Sequence, residues 1–555
     1  MTFKSGAQLL VDVLTANGVD RVFCVPGESY LAVLDALHDT REIETVVCRH
    51  EGGVAMMAEA DGKLTGRPGI AFVTRGPGAT NATAGLHVAM QDSTPMVLFI
   101  GQIARASRER EAFQELDYRR MLGQLSKLTI EIDSAERVPE IVGRAFRTAT
   151  SGRPGPVVIV LPEDMLEESV EAVDLLPNAP VEIYPSLDQL AELDRMIEVS
   201  ERPLLLVGGS RWDASARESL QLWAAARELP VVTAFRRQDR FDNTNPCYVG
   251  DMGIGTNPDL LAYLASVDLL VVVGARLDDL TTAGYSRLAV PTPGQKIVHV
   301  FPSAEELGKV YRTNLAIVAT PRGFAAMLPN SGAGKLSRAT ETARLRASYE
   351  KWQQPLPAPG TVNMSEIVSE FRKQLPHDAI ITNGAGNFAT WVHRFHRFEA
   401  LGSQLAPTSG SMGYGLPAAV AAKLRFKDRT VVCVAGDGDF QMTCQEFGTA
   451  AQAGANIICV VVDNAMYGTI RMHQEREYPG RVQATGLENP DFAMIAKAYG
   501  CFGETVVSTD QFFPALTRAM DAGRPALLHV IVDPEALTPA QTLSAIRSQT
   551  ATRTP

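Results

Sequence analysis

No stretch of the 555-residue sequence is apolar for long enough to cross a bilayer, so no membrane span is expected. No block of lysine and arginine occurs either. The formal net charge is −11, and an acidic chain without a basic patch is a poor nucleic-acid binder. Cysteine is sparse. The seven residues (Cys24, Cys48, Cys247, Cys433, Cys444, Cys459 and Cys501) are scattered, form no CxxC pair and lie partly within apolar runs. They read as reduced core thiols, which places the protein in a cytoplasm. Low-complexity repeats are missing. The opening segment, MTFKSGAQLLVDVLTANGVDRVF, lacks a signal-peptide pattern and reads as an amphipathic helix running into a strand. What remains is ordinary globular composition, 45% hydrophobic and 21% charged, in a chain long enough for about three domains.

The most informative stretch is Thr430 to Ile470. An apolar run, Val431 to Ala435, enters a Gly436-Asp437-Gly438 turn. A helix is expected from about Gln441 to Ala453. A second apolar run, Ile457 to Val462, ends at Asp463-Asn464. Two buried parallel strands with a helix between them fit this pattern, and in such units ligands sit beyond the carboxyl ends of the strands. Oxygen donors there, Asp437 and Asn464, suit a hard cation such as Mg²⁺ that also takes oxygens from a phosphorylated ligand. The glycines let backbone N–H groups approach phosphate at a helix N-terminus. An isolated GDG is usually a simple turn; its setting here makes the binding reading the stronger one.

The rest of the chain predicts an α/β fold of three doubly wound parallel-sheet domains, residues 1–175, 186–330 and 361–535. In the first, strands are expected at Arg21–Val25, Glu44–Cys48, Gly69–Thr74, Met96–Ile100 and Val157–Leu161, with helices such as Gly52–Leu64 and Thr80–Met90 between them. The layout of Gly69–Ile100 repeats that of Thr430–Val462: strand, glycine-rich turn, helix, strand. Residues 165–185 read as a linker. The second domain carries strands at Pro203–Val207, Val231–Ala234, Leu269–Val273 and Lys296–Val300. Residues 330–360 read as linker, helix and Pro-rich crossing, and the tail after Pro534 as a frayed helix or a lid.

A second signal is Arg49-His50-Glu51-Gly52-Gly53, at a strand end and helix start. Alone, Glu51 would be a helix cap or dipole partner. Together with RHEGGVAMMAEADGKLTGRPG, TRGPGATNATAGLHVAMQDSTPMV, AFQELD, SGRPGPV, TSGSMGYGLPAA, GDGDFQMTCQEF and NPDFAMIAKAYG, which span nearly the whole chain, it resembles the acetolactate-synthase-like group of thiamine-diphosphate enzymes.

The resemblance implies thiamine diphosphate and Mg²⁺ as cofactors and a 2-oxo acid as substrate. Glu51 would hydrogen-bond the pyrimidine ring and promote its imino tautomer, with burial against neighbours such as Val54 raising its pKa. Asp437 and Asn464 would bind the metal by side chains and Met466 by its carbonyl. Gly436, Gly438, Gly468 and Thr469 would lie beside the diphosphate, with Ala385, Gly386 and Asn387 as a further diphosphate-contacting loop. Met412 would wedge the cofactor into a bent shape, although a core methionine is the plain alternative. Gln114 would stand near substrate; Pro77 and Asn81 would lie near the cofactor ring or simply form a turn. Because the family's glutamate and diphosphate site come from different subunits, a homodimer or homotetramer is implied. A regulatory subunit is left undetermined.

Several positions depart from the synthase pattern. Glu28 follows Val25-Pro26-Gly27 where synthases have a small residue and simple decarboxylases an acid that delivers a proton; a surface loop glutamate is the alternative. His473 stands where the anabolic synthases have a tryptophan, and Glu163 where they have lysine. Asp439 follows the GDG triplet in place of a serine. The central domain keeps part of the family's FAD pattern (Gly208-Gly209, Thr233, Gly250-Asp251-Met252, Gly274-Ala275-Arg276-Leu277-Asp278), but Leu280 replaces an arginine, so FAD, an ADP-type ligand and an empty site stay open. The leading expectation is decarboxylation of a pyruvate-like 2-oxo acid with carboligation to a second carbonyl. The alternative is a decarboxylase that releases an aldehyde, and a non-catalytic dinucleotide-binding protein is the third reading.

Overall fold

The computed structural model describes residues 2–329 and 337–551. Among them are three six-stranded, all-parallel sheets flanked by helices. The first runs Glu44–Val47, Arg21–Cys24, Gly69–Val73, Met96–Gln102, Pro156–Pro162, Leu128–Glu131. Numbered by chain position within the sheet, that order is 2-1-3-4-6-5. The third sheet has the same order: Gln404–Leu405, Ile380–Asn383, Val431–Gly436, Ile458–Asp463, Ala526–Ile531, Phe502–Val506. The repeated layout in the sequence is thus a repeated topology. The middle sheet has the order 3-2-1-4-5-6, with Pro203–Val207 beside Leu269–Val273 at its centre.

The central strands are buried on both faces, so they read as unbroken apolar runs. Val431–Gly436, Ile458–Asp463 and Pro203–Val207 are buried at every position. Glycines set the close approaches around them. A Cβ on Gly69 would lie 1.8 Å from the carbonyl oxygen of Ala58, so only glycine lets the Glu51–Thr65 helix rest on that strand. That helix starts at His50, whose ring accepts the Gly52 N–H, and stops at Gly66 in the left-handed region (φ 68°).

The chain divides into two compact units. One comprises Met1–Val181, Leu416–Lys427 and Thr443–Ala455; the other comprises Glu182–Gly415, Asp428–Met442 and Asn456–Pro555. The first unit contains the first sheet together with two segments from the last third of the chain, and the second unit contains the other two sheets.

Three expectations change. The helix expected over Gln441–Ala453 is two helices, Asp437–Gln441 and Glu446–Ala453. The Thr80–Met90 helix is likewise divided, into Pro77–Asn81 and Thr83–Asp92. Phe3–Ser5 is a short strand ahead of the first helix, paired antiparallel with Ser169–Glu171, so the segment 165–185 is not linker throughout. The tail forms the helix Leu543–Ala551, whose Leu543 and Ile546 pack with Met472 and Leu537. The linker expected before the Ala339–Trp352 helix falls partly on 330–336, outside the described residues.

Candidate active site

In a 2-1-3-4 order the chain leaves strands 1 and 3 in opposite directions, and a crevice opens at their carboxyl ends. In the third sheet these ends are Asn383-Gly384-Ala385-Gly386 and Gly436-Asp437-Gly438. A cavity of about 240 Å³ lies there. Its walls include Ala385, Gly386, Asn387 and Met412 on one side and Gly436, Asp437, Gly438 and Asp439 on the other. Asn464, Met466, Gly468 and Thr469 come from the end of the neighbouring strand. One local cavity therefore gathers all the sequence-derived diphosphate and metal candidates.

Asp437 stands at the first turn of its helix and is buried. Desolvation pushes its carboxyl up to about 6, against a hydrogen bond from Asn489 and with added repulsion from Asp463. Asn489 Nδ2 donates to Asp437 Oδ2 and to Asp463 Oδ1, both at 2.8 Å. Asp463 in turn meets His529 Nε2 at 2.8 Å. Burial works to raise Asp463, but the bonds from His529, the Ala465 N–H and Asn489 hold it below the usual carboxylate range. A desolvated carboxylate at a helix N-terminus gains from a cation on its open side.

The next turn is strained. Ala465, between Asn464 and Met466, has φ 56°, a region that costs a non-glycine residue energy. It is held there by the Asp463 Oδ1 acceptor on its N–H, by Leu487 N–H on its carbonyl at 2.9 Å, and by Tyr467 N–H on Thr485 O at 2.9 Å. Across the crevice Thr469 donates to Asn387 Oδ1 at 3.0 Å. Among the described residues no group of three or more His, Cys, Asp and Glu is set for a metal. A cation here would rest on Asp437, the Asn464 amide, a backbone carbonyl and the ligand's own oxygens.

Asp439 is fully buried and pushed up to about 7 by desolvation, which the N–H groups of Ala385 and Gly413 only partly offset. Both donate to its Oδ1 at 2.9 Å, while Oδ2 is buried without a hydrogen-bond partner. Its place is therefore structural: it joins the GDG turn to the facing loop.

The remaining candidates, His473 apart, lie in the first unit. Glu51 is the first residue of its helix, half-buried, with Val54 wholly buried in the next turn. Its Oε2 accepts from Asn81 Nδ2 at 3.0 Å. Pro77 and Asn81 begin and end one short helix and are exposed. Gln114 has φ 65° and sits against Gly76, where a Cβ would come within 2.7 Å of its own. Glu28 is exposed and paired with Arg75 at 2.9 Å. His473, in the second unit, is exposed on the Gly468–Glu477 helix and is not among the residues lining the cavity.

Sequence reasoning missed three participants. Asn489 is one; its only signal is its place in the NPDF block. Leu537 of the tail, on the cavity wall, is another. The third is Glu446, wholly buried, whose carboxylate accepts the Arg49 N–H two residues before Glu51.

Three family models match the chain: "Thiamine pyrophosphate enzyme, N-terminal TPP binding domain" over residues 4–121, "central domain" over 190–328, and "C-terminal TPP binding domain" over 384–530. An acetolactate synthase large subunit of Parasynechococcus marenigrum is 34% identical, over 95% of this chain and 87% of its own length. The chain belongs to the thiamine pyrophosphate enzyme family. Within it, this enzyme is of the acetolactate-synthase type. The acetolactate synthase isozyme 2 large subunit of Escherichia coli is 32% identical over 95% of this chain and 96% of its own length. The mitochondrial acetolactate synthase catalytic subunit of Saccharomyces cerevisiae is 29% identical over 95% and 81%.

The cavity fits the diphosphate of this family's cofactor (thiamine pyrophosphate, or thiamine diphosphate) and a hard cation: buried acid, amide oxygen and glycine turns meet at one crevice. At the crevice of the central sheet the Gly208-Gly209 and Gly274 turns approach each other closely. A Cβ on Gly209 would lie 1.8 Å from Gly274 O, so the two glycine turns there are packed backbone to backbone. Gly208 N–H is already donated to Val273 O and Gly274 N–H to Val300 O.

Proposed function

We propose that this enzyme decarboxylates a pyruvate-like 2-oxo acid on thiamine diphosphate and Mg²⁺ and joins the remaining two-electron fragment to a second carbonyl. The observation that carries the proposal is the cavity at Gly436-Asp437-Gly438, where buried Asp437 and Asn464 offer oxygen donors beside glycine turns. When bound, the cofactor supplies an electron sink for the pair left by CO₂.

The chain's own residues bind, orient and move protons. Asp437, Asn464 and the Met466 carbonyl would hold the cation, Gly438, Gly468 and Thr469 would lie beside the diphosphate, and Met412 would press on the cofactor from the facing loop. Glu51, positioned by Asn81, takes a proton to and from the pyrimidine ring of a cofactor held by another copy of the chain, which makes the working form a homodimer or homotetramer. Water is kept from the site by Leu537 and Ala536 on the cavity wall. FAD is no part of this proposal.

The test is incubation with pyruvate, thiamine diphosphate and Mg²⁺, with CO₂ and products measured. Turnover should need both cofactors, and Mg²⁺ should bind tightly only when thiamine diphosphate is present. Glu51→Gln should lower kcat by about 100-fold or more while leaving diphosphate affinity nearly intact. Full turnover in that variant would falsify the role of Glu51. Free acetaldehyde as sole product would favour the non-ligating alternative.

A further inference from the structure

The first sheet has its own switch point, between Arg21–Cys24 and Gly69–Val73, and what occupies it is charge. The loops leaving these strands are in contact: a Cβ on Gly27 would lie 2.4 Å from Thr74 Cβ, and Ser29 Oγ meets Thr74 Oγ1 at 2.8 Å. Arg75 lies between them, buried, with all three guanidinium nitrogens engaged. One terminal nitrogen donates to Glu28 Oε1 at 2.9 Å, the other to Glu163 Oε2 at 3.2 Å, and Nε to Phe113 O at 3.3 Å. The two carboxylates are open to solvent, with side chains 64% and 43% exposed, against 9% for Arg75. One positive charge buried between two exposed negative ones leaves a surface of net charge −1.

This surface is continuous with Glu51. At Gly78 a Cβ would lie 2.9 Å from the Thr74 methyl and 3.3 Å from Glu51 Oε1, and Gln114 packs on Gly76 beside Arg75. Each terminal nitrogen of Arg75 keeps one further N–H, but its single positive charge is already shared between two carboxylates.

We infer that the Glu28–Arg75–Glu163 triad selects the acceptor: an uncharged aldehyde, best one with a hydroxyl to donate to Glu28 or Glu163, in place of a second 2-oxo acid anion. The inference rests on the function proposed above. A donor's carboxylate is also repelled, but that cost is relieved in the step that turns it into CO₂. An anionic acceptor keeps its charge through to product, so only the acceptor is discriminated. In the reaction, the bond from the donor's carbonyl carbon to its carboxylate breaks, and CO₂ leaves. The electron pair left behind forms the bond to the aldehyde carbon. The aldehyde oxygen takes one proton from water, and the product is a hydroxyketone; no oxidant or reductant is needed.

The experiment supplies holoenzyme with pyruvate alone or with an equal concentration of glycolaldehyde, and reads products by NMR. The hydroxyketone should form at least about tenfold faster than acetolactate. The double variant E28Q/E163Q should move that ratio about tenfold toward acetolactate through the KM of the anionic acceptor. Raising ionic strength on the wild-type enzyme should narrow the preference in the same direction, a readout that does not depend on how the variant folds. Acetolactate as the main product beside glycolaldehyde, or a ratio blind to both salt and the double variant, would overturn the inference while leaving the proposed function standing. If no 2-oxo acid in a panel releases CO₂ in a cofactor-dependent way, the proposed function fails, and this inference with it.

Discussion

Asp439 accepts the backbone N–H of Ala385 through Oδ1 at 2.9 Å, and the same oxygen takes the N–H of Gly413. The two loops that frame the crevice of the third sheet are therefore joined by one buried side chain. A Cβ on Gly384 would lie 2.1 Å from that oxygen, so the approach admits only glycine.

Removing the joint should be costly. Asp439→Ala leaves two N–H groups without their acceptor and should destabilise the apoprotein by roughly 2–4 kcal/mol. Asp439→Asn keeps an acceptor oxygen and should stay within about 1 kcal/mol of wild type. Urea unfolding near pH 4, well below the value of about 7 to which burial raises Asp439, compares them with wild type; equal stability of the two variants would show that the joint carries no weight.

Asp251 gives the protein a pH-dependent liability. It is half-buried, and desolvation raises its carboxyl to about 7, against the opposing charge of Arg287. A folded-state pKa above the unfolded value means that its contribution is fully present below about 4 and is lost as pH rises through about 7. The loss is on the order of 4 kcal/mol at most. Asp251→Asn should lie close to wild type near pH 4 and become progressively more stable than it towards pH 8. Parallel stability curves for the two proteins across that range would count against this account.

Ala465 stores strain at the metal turn. Ala465→Gly relieves its φ of 56° and should stabilise the apoprotein, or leave it unchanged, within about 1 kcal/mol. The same freedom loosens Asn464 and Met466, so Mg²⁺-dependent cofactor affinity should fall several-fold. Thermal melts with and without cofactor separate the two effects; a variant that binds more tightly would mean that the strained turn does not preorganise the site.

Much of this architecture was legible along the chain. Pro203–Val207, Val231–Ala234 and Leu269–Val273 were read to the residue, because a strand buried on both faces announces itself as an unbroken apolar run. Boundaries set by distant partners were not. Phe3–Ser5 is a strand only because Ser169–Glu171 lies beside it. The break at Met442–Gln445 has no proline or glycine to mark it. The segment after it, with Glu446 accepting from the Arg49 N–H, belongs to the first unit, whereas the helix before it belongs to the second.

The sequence by itself determined the fold class, the two glycine turns and the residue types offered to phosphate and metal, since these depend on periodicity and on side chains close together in the chain. Tertiary structure alone decided what those residues do to one another. Asn489 reaches Asp437, and Arg75 joins Glu28 to Glu163, because the 2-1-3-4 strand order brings chain segments scores of residues apart to the same strand ends. Charge and hydrogen bonding act over a few ångströms of space, and no local pattern records which distant segment will arrive within that reach.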